Sequence, residues 1–187
     1  MHARTFIPTL AAAFAASLVA AGGQANAAPT DADAQVLAAR VVTYDASASA
    51  EFRAAVDRGA AVWNESVDSV ELRPAAAGQR ANIRILADNG WPRALTTSLG
   101  NGTVYIGRQA VTQGYDTVRI SAHELGHILG LPDRKPGPCS SLMSGSSAGV
   151  ACKNPYPDAA ERAEVEDNFG AALARPADVP RQVVLVD

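Results

Sequence analysis

The sequence predicts a single α+β domain: a twisted mixed sheet with helices in its N-terminal part, then a long helix, an irregular segment and a final helix. Three observations lead there. Short β-branched or alternating runs, Arg40 to Tyr44, Val70 to Arg73, Asn82 to Ala87 and Thr103 to Ile106, are set apart by turn signals. Other stretches repeat apolar residues every three to four positions, the helical spacing. The order of these segments is irregular rather than a regular strand–helix alternation. Of 187 residues, 48% are hydrophobic and 19% charged, which excludes a disordered or collagenous chain.

Each element has its own reason. Met1 to Ala27 reads as a secretory signal peptide, with Arg4 before the apolar run Leu10 to Ala21 and Ala25-Asn26-Ala27 as the small-x-small cleavage pattern. That run is too short for a bilayer span, so no membrane is expected for the mature form. Residues 28–39 have no hydrophobic period and read as a pro-segment or leader. After the strand Arg40 to Tyr44, the small polar cluster Asp45 to Ser49 suits a helix start. Phe52, Val56, Ala60 and Trp63 then give an amphipathic helix over Ala50 to Ser66. Asn89-Gly90-Trp91-Pro92 and Gly100-Asn101-Gly102 are turns. The strand Thr103 to Ile106, with Gly107, is short and bracketed by glycine, which fits an exposed edge. Asp116 is a good N-cap for a helix reaching Leu129, with Val118, Leu125, Ile128 and Leu129 as its buried stripe and Gly130 as its stop. Pro132 to Pro157 is loop, Ala159 to Ala174 a final helix, and residues 175–187 a polar tail.

Charge excludes one class of partner. The chain has 16 basic and 19 acidic residues, and signal removal takes away Arg4 and no acid, leaving 15 against 19 and a formal charge of −4. Nothing there would neutralise a phosphate backbone, so no nucleic-acid partner is expected. The same cut removes His2, so His123 and His127 are the histidines that remain.

Those two histidines carry the chemistry. His123-Glu124-Leu125-Gly126-His127 falls inside the long helix, where residues four apart share a face and both imidazoles can reach one cation. Glu124 is rotated about 100° from His123, so it is placed to hold a water rather than to share the ion. A catalytic zinc needs three protein ligands and an open position. With no third histidine, the remaining donor is a carboxylate or a thiolate. Asp133 is the best placed, because Gly130 lets the chain leave the helix at positive φ and return.

The extended run His123-Glu124-x-x-His127-x-x-Gly130-x-x-Asp133, followed by Met143 in Ser141-Leu142-Met143-Ser144-Gly145, resembles the metzincin pattern with aspartate in place of the usual third histidine. That variant is similar to the snapalysin family of small secreted neutral metalloproteases. The similarity extends through Gly137-Pro138-Cys139, Asn154-Pro155-Tyr156-Pro157, Trp63-Asn64 and Tyr115-Asp116, about Val41 to Phe169. It implies a metzincin-like fold for 40–174 as a catalytic domain, with the irregular C-terminal part below the cleft and Met143 as a Met-turn. It implies zinc held by His123, His127 and Asp133, with Glu124 as the catalytic base. The strand Thr103, Val104, Tyr105, Ile106, Gly107 would be the edge onto which an extended substrate adds. Asp116 matches a position that contributes to a calcium site in similar proteins, although a simple N-cap explains it equally.

Cys139 and Cys152 enclose Met143 in a chain expected to be secreted, so a disulfide is the plain reading, contributing about 3 kcal/mol in the loop-entropy model. A thiolate ligand would leave its partner odd. One position departs from the resemblance: similar proteins carry tyrosine two residues after the aspartate, and here Lys135 stands there, followed by Pro136. A solvated loop lysine is the ordinary expectation for it, the alternative being an oxyanion donor in place of the missing phenol. The function expected is a secreted zinc endopeptidase, a monomer acting on proteins or peptides. The alternative is a noncatalytic zinc-stabilised binding module, against which Glu124 speaks, since a closed structural site has no use for a base.

Overall fold

The computed structural model describes residues 38–173. The expected signal peptide, most of the leader and the tail from 174 onward lie outside the described residues. Five strands form one sheet: β1 (Arg40–Ala48), β2 (Val70–Pro74), β3 (Ile83–Asp88), β4 (Arg93–Ser98) and β5 (Asn101–Gly107), in the spatial order β2-β1-β3-β5-β4. β1 runs parallel to β2 and β3, and β3 to β5, while β4 alone is antiparallel. The helices are α1 (Arg53–Asn64), α2 (Arg108–Thr112), α3 (Thr117–Ile128) and α4 (Ala159–Leu173), with 3-10 turns at Ala50–Phe52 and Leu142–Ala148. The mixed sheet with helices is the expected α+β class.

Register explains the connections. Parallel neighbours need a crossover, and α1 supplies it between β1 and β2. β2 pairs with Arg40 to Tyr44, whereas β3 pairs from Tyr44 onward. β3 therefore begins where β2 ends along β1, and the Ala75 to Asn82 connection only has to change sides, not travel back. Burial alternates along the strands: Val42, Tyr44 and Ala46, then Ile83 and Ile85, then Val104 and Ile106 all face the core. The intervening Asp45 and Arg84 are exposed. Parallel strands buried on both faces read as continuous apolar runs, so this alternation marks a sheet covered on one face.

Two elements escape the sequence pattern. β4 is exposed or half-buried along its length. An edge strand without a buried face has no apolar alternation to detect. The second is α2, five residues long and too short to show a period.

One expectation is corrected. Thr103 to Gly107 is not an edge: β5 pairs with β3 on one side and β4 on the other, and the outer strand is β4. The glycine at its end marks close packing instead, because a Cβ on Gly107 would meet the backbone of Gly90, Trp91 and Pro92. Ser98 pairs with Asn101, leaving Leu99 and Gly100 as the turn between β4 and β5, with Gly100 at φ +79°.

The core beneath the sheet is built where α1 meets α3. Trp63 is fully buried and donates its indole N–H to Ala122 O at 2.8 Å, tying the two helices together. Gly126 lies in the same contact: a Cβ there would be 2.8 Å from Met143 Sδ and 3.1 Å from Trp63 Cζ2. Met143 is fully buried. Among the described residues, no helix is long and apolar enough to cross a membrane.

Overpacking of this contact typically costs 1–3 kcal/mol, against about 1 kcal/mol regained when a helical glycine becomes alanine. Gly126→Ala should therefore lower the unfolding free energy measured in denaturant. A variant as stable as the wild type would show that Met143 and Trp63 yield freely.

Candidate metal centre and cleft

Helix α3 begins as expected. The Asp116 carboxylate accepts the Arg119 N–H at 2.9 Å, the N-cap bond worth about 1 kcal/mol. Over its last two turns the helix places His123 and His127 on one face, their ring centroids 4.7 Å apart. After Ile128 the chain turns at Gly130, whose φ of +96° suits glycine. The Leu131 N–H donates to Gly126 O at 3.0 Å, closing the helix end, and the Arg134 N–H donates to Met143 O at 2.8 Å. Between these two anchors, Asp133 is brought back to the histidines.

The three side chains meet. Asp133 Oδ1 lies 3.3 Å from His123 Nε2 and 3.6 Å from His127 Nε2. Their ligand atoms lie within 4.8 Å of one another, and theirs is the group of His, Cys, Asp and Glu among the described residues that could hold a metal ion. The donor chemistry agrees with such an ion. His123 Nδ1 bonds Leu142 O at 3.0 Å and His127 Nδ1 bonds Leu131 O at 2.8 Å. A carbonyl can only accept, so each Nδ1 carries the proton and each Nε2 presents a lone pair inward. Burial, reinforced by the neighbouring His127, pushes the His123 pKa down to about 4, so its ring is neutral near pH 7. Burial alone would raise Asp133. The hydrogen bond and charge of Lys135, with both histidines, outweigh it and hold the carboxyl below its ordinary range.

Glu124 is 4% exposed, and its Oε2 has no hydrogen-bond partner among the described residues. Burial, with the Asp133 charge adding to it, pushes its pKa up to about 8, despite Lys135 and Arg93 pulling the other way. A buried carboxylate oxygen without a donor is costly unless the site supplies a proton or a water.

Lys135 is an exposed loop lysine, as expected, but it is not free of the site. Its ammonium donates to Asp133 Oδ2 at 2.9 Å, the carboxylate oxygen other than the one nearest the histidines. The opposite charge two residues away captures it. The Cys139–Cys152 disulfide is present, with Cα atoms 5.5 Å apart, and it closes the loop that holds Met143. Asp116 lies in the cleft as a cap, and among the described residues no group of three potential ligands includes it.

The ligands open onto a cleft of about 680 Å³. One wall includes Trp91 and Tyr115, packed edge to face with centroids 5.7 Å apart. Arg93, Ala94 and Thr96 of β4 line its upper side, and the Thr96 hydroxyl donates to His127 O at 3.3 Å. In the sequence Trp91 stands only as part of a turn, because a wall residue carries no periodic signal. Leu131 O and Leu142 O are not legible there either, since backbone acceptors leave no mark in the sequence.

A family model described as the Streptomyces extracellular neutral proteinase (M7) family matches residues 39–171. The extracellular small neutral protease of Streptomyces caespitosus is 44% identical over 126 residues, covering 66% of this chain and 92% of that protein. Those of Streptomyces sp. strain C5 and Streptomyces coelicolor are 40% and 41% identical over 140 and 139 residues, each match covering 73% of this chain. The match spans only 61% and 62% of those two relatives' own lengths. With the family model covering most of the chain and the His-His-Asp group inside the matched region, this chain belongs to the Streptomyces extracellular neutral proteinase (M7) family.

Proposed function

We propose that this chain is a secreted zinc endopeptidase whose catalytic domain occupies residues 40–174, acting as a monomer on protein or peptide substrates. The observation that carries the reading is the buried Glu124 carboxylate, unpartnered at Oε2, beside three donor atoms that converge with their lone pairs free. Secretion is supported by the predicted signal peptide, by the disulfide, and by relatives named extracellular proteases. His123, His127 and Asp133 would hold the ion, a donor set that suits zinc and leaves a position open. Bound there, zinc would supply Lewis-acid polarisation of a substrate carbonyl and acidify a water molecule.

The remaining work falls to this chain's residues. The Glu124 carboxyl, whose raised pKa a bound cation would bring back down, takes as carboxylate a proton from the attacking water and returns it to the leaving amine. Lys135 occupies Asp133 Oδ2, which directs Oδ1 at the histidines. Because β4 is the outer strand and three of its residues line the cleft, an extended peptide would add along Arg93–Ser98 rather than along Thr103 to Gly107. Met143, in the turn under the helix, serves as packing against Gly126. Calcium at Asp116 stays a subordinate proposal, for its side chain is already engaged as the cap. The noncatalytic binding module is disfavoured by Glu124, because holding a carboxylate buried and unpartnered gains a structural zinc site nothing.

Glu124→Gln should retain stoichiometric zinc by elemental analysis while peptidase activity falls by about a hundredfold or more, since the amide keeps the shape and removes the base. Activity within about tenfold of wild type, with zinc bound, would remove Glu124 from that role. Asp133→Ala should weaken zinc binding strongly in a chelator competition, and Asp133→His should partly restore it. Equal zinc affinity in wild type and the alanine variant would place the third ligand elsewhere.

A further inference from the structure

Two buried ionic side chains outside the ligand set converge on the segment that bears Met143. Arg119, on α3 one turn before His123, is 5% exposed. Its guanidinium donates to Ser141 O at 2.8 Å, Leu142 O at 3.3 Å, Cys139 O at 3.5 Å, Asn154 O, and the Ser144 hydroxyl at 2.9 Å. Glu161, on α4, is fully buried. Its carboxylate accepts from the Ser141 hydroxyl at 2.6 Å and from the N–H groups of Leu142 at 3.0 Å, Met143 at 2.9 Å and Asp158 at 2.7 Å. The carbonyl side of Ser141 to Ser144 is thus held by a cation and the amide side by an anion.

Burying two charges is a costly way to hold a loop, and apolar packing often does it as well or better. What apolar packing lacks is direction. Leu142 O is the point at which direction matters, because it accepts both from Arg119 and from His123 Nδ1–H. The N–H of the same peptide unit, that of Met143, is held by Glu161, so the orientation of the peptide unit is fixed from both ends. A rotated carbonyl would release the His123 ring or its tautomer, and with it the lone pair on Nε2.

We propose that Arg119 and Glu161 are positioning residues which together fix Leu142 O as the acceptor for His123 Nδ1–H, making α4 part of the metal centre although it supplies no ligand. The proposal rests on His123 being a ligand.

The test compares zinc affinity, by competition with a chromophoric chelator, in purified wild-type chain, Glu161→Gln, Arg119→Lys, Glu166→Gln and His123→Ala. Thermal melts of each show which are folded at the assay temperature. Glu166 is the control because it also lies on α4 and is tied into the fold, accepting the N–H groups of Asp68 and Ser69, away from the Met143 segment. Glutamine keeps the shape of Glu161 but turns an amide against N–H donors, and lysine cannot reproduce the guanidinium fork. Both clamp variants should bind zinc about tenfold or more weakly while folded, whereas Glu166→Gln should lose thermal stability but bind within about twofold of wild type. Clamp variants that melt earlier yet bind as wild type, with His123→Ala losing zinc, would overturn the clamp and leave the ligand reading standing. His123→Ala binding as wild type would overturn both. Should the clamp variants not fold, nitrogen-15 NMR of the metal-free wild type decides: a neutral His123 protonated at Nδ1 and slow to exchange supports the proposal, and the Nε2–H tautomer overturns it.

Discussion

Two side-chain to main-chain hydrogen bonds, from His123 Nδ1 to Leu142 O and from His127 Nδ1 to Leu131 O, set the terms for the rest of this molecule. An imidazole free to rotate or change tautomer is a poor ligand, and a carbonyl acceptor removes both freedoms. Each acceptor, however, lies on chain that comes after the helix. The backbone must therefore leave α3 abruptly and come back beneath it, once immediately through Gly130 and Leu131, and again through the segment that ends in Met143. The positive φ of Gly130, the Arg134 N–H bond to Met143 O and the disulfide across that loop all follow from this need.

The sheet and α1 supply what such a site cannot provide for itself. A returning loop rich in Pro, Gly and Ser buries little apolar surface, so α3 has to be held from its other side. Trp63 does this by packing on Gly126 and bonding Ala122 O, the residue before His123. β4 grips the helix from above through Thr96 and His127 O. The same strand is left as the outer edge of the sheet, so the element that braces the helix also borders the cleft. Rigid support and an open edge are compatible here because the brace uses β4's side chain and the edge would use its backbone.

How much of this the sequence disclosed depended on whether the physics was local. His123, Glu124 and His127 were legible because helical spacing alone puts the two histidines on one face. Asp133 was legible because a glycine stop and a short return leave few alternatives. The helical period of Trp63, Val56 and Leu125 marks them as core, and they are buried. β4 is hidden because it buries no face, and β5 reads as an edge because a terminal glycine suits exposure as well as it suits the close contact with the Gly90 turn that it makes. The exposure of Lys135 is what a loop lysine suggests, but its bond to Asp133 is visible only once the loop is folded. Arg119 lies between the two cases. It stands four residues before His123 on the same helical face, and a charge at a buried position calls for partners. Those partners are main-chain carbonyls twenty or more residues away, which no local pattern reveals.

In the proposed function, an ion held by three converging donors, with a buried base beside it, cuts peptide bonds. Digestion of a denatured protein by the purified chain measures this most directly, with the assay repeated after removal of metal by a chelator and again after zinc is returned. Cleavage that disappears with the chelator and recovers with stoichiometric zinc is the predicted result. Zinc bound at one equivalent without any cleavage, or cleavage indifferent to the chelator, would contradict it.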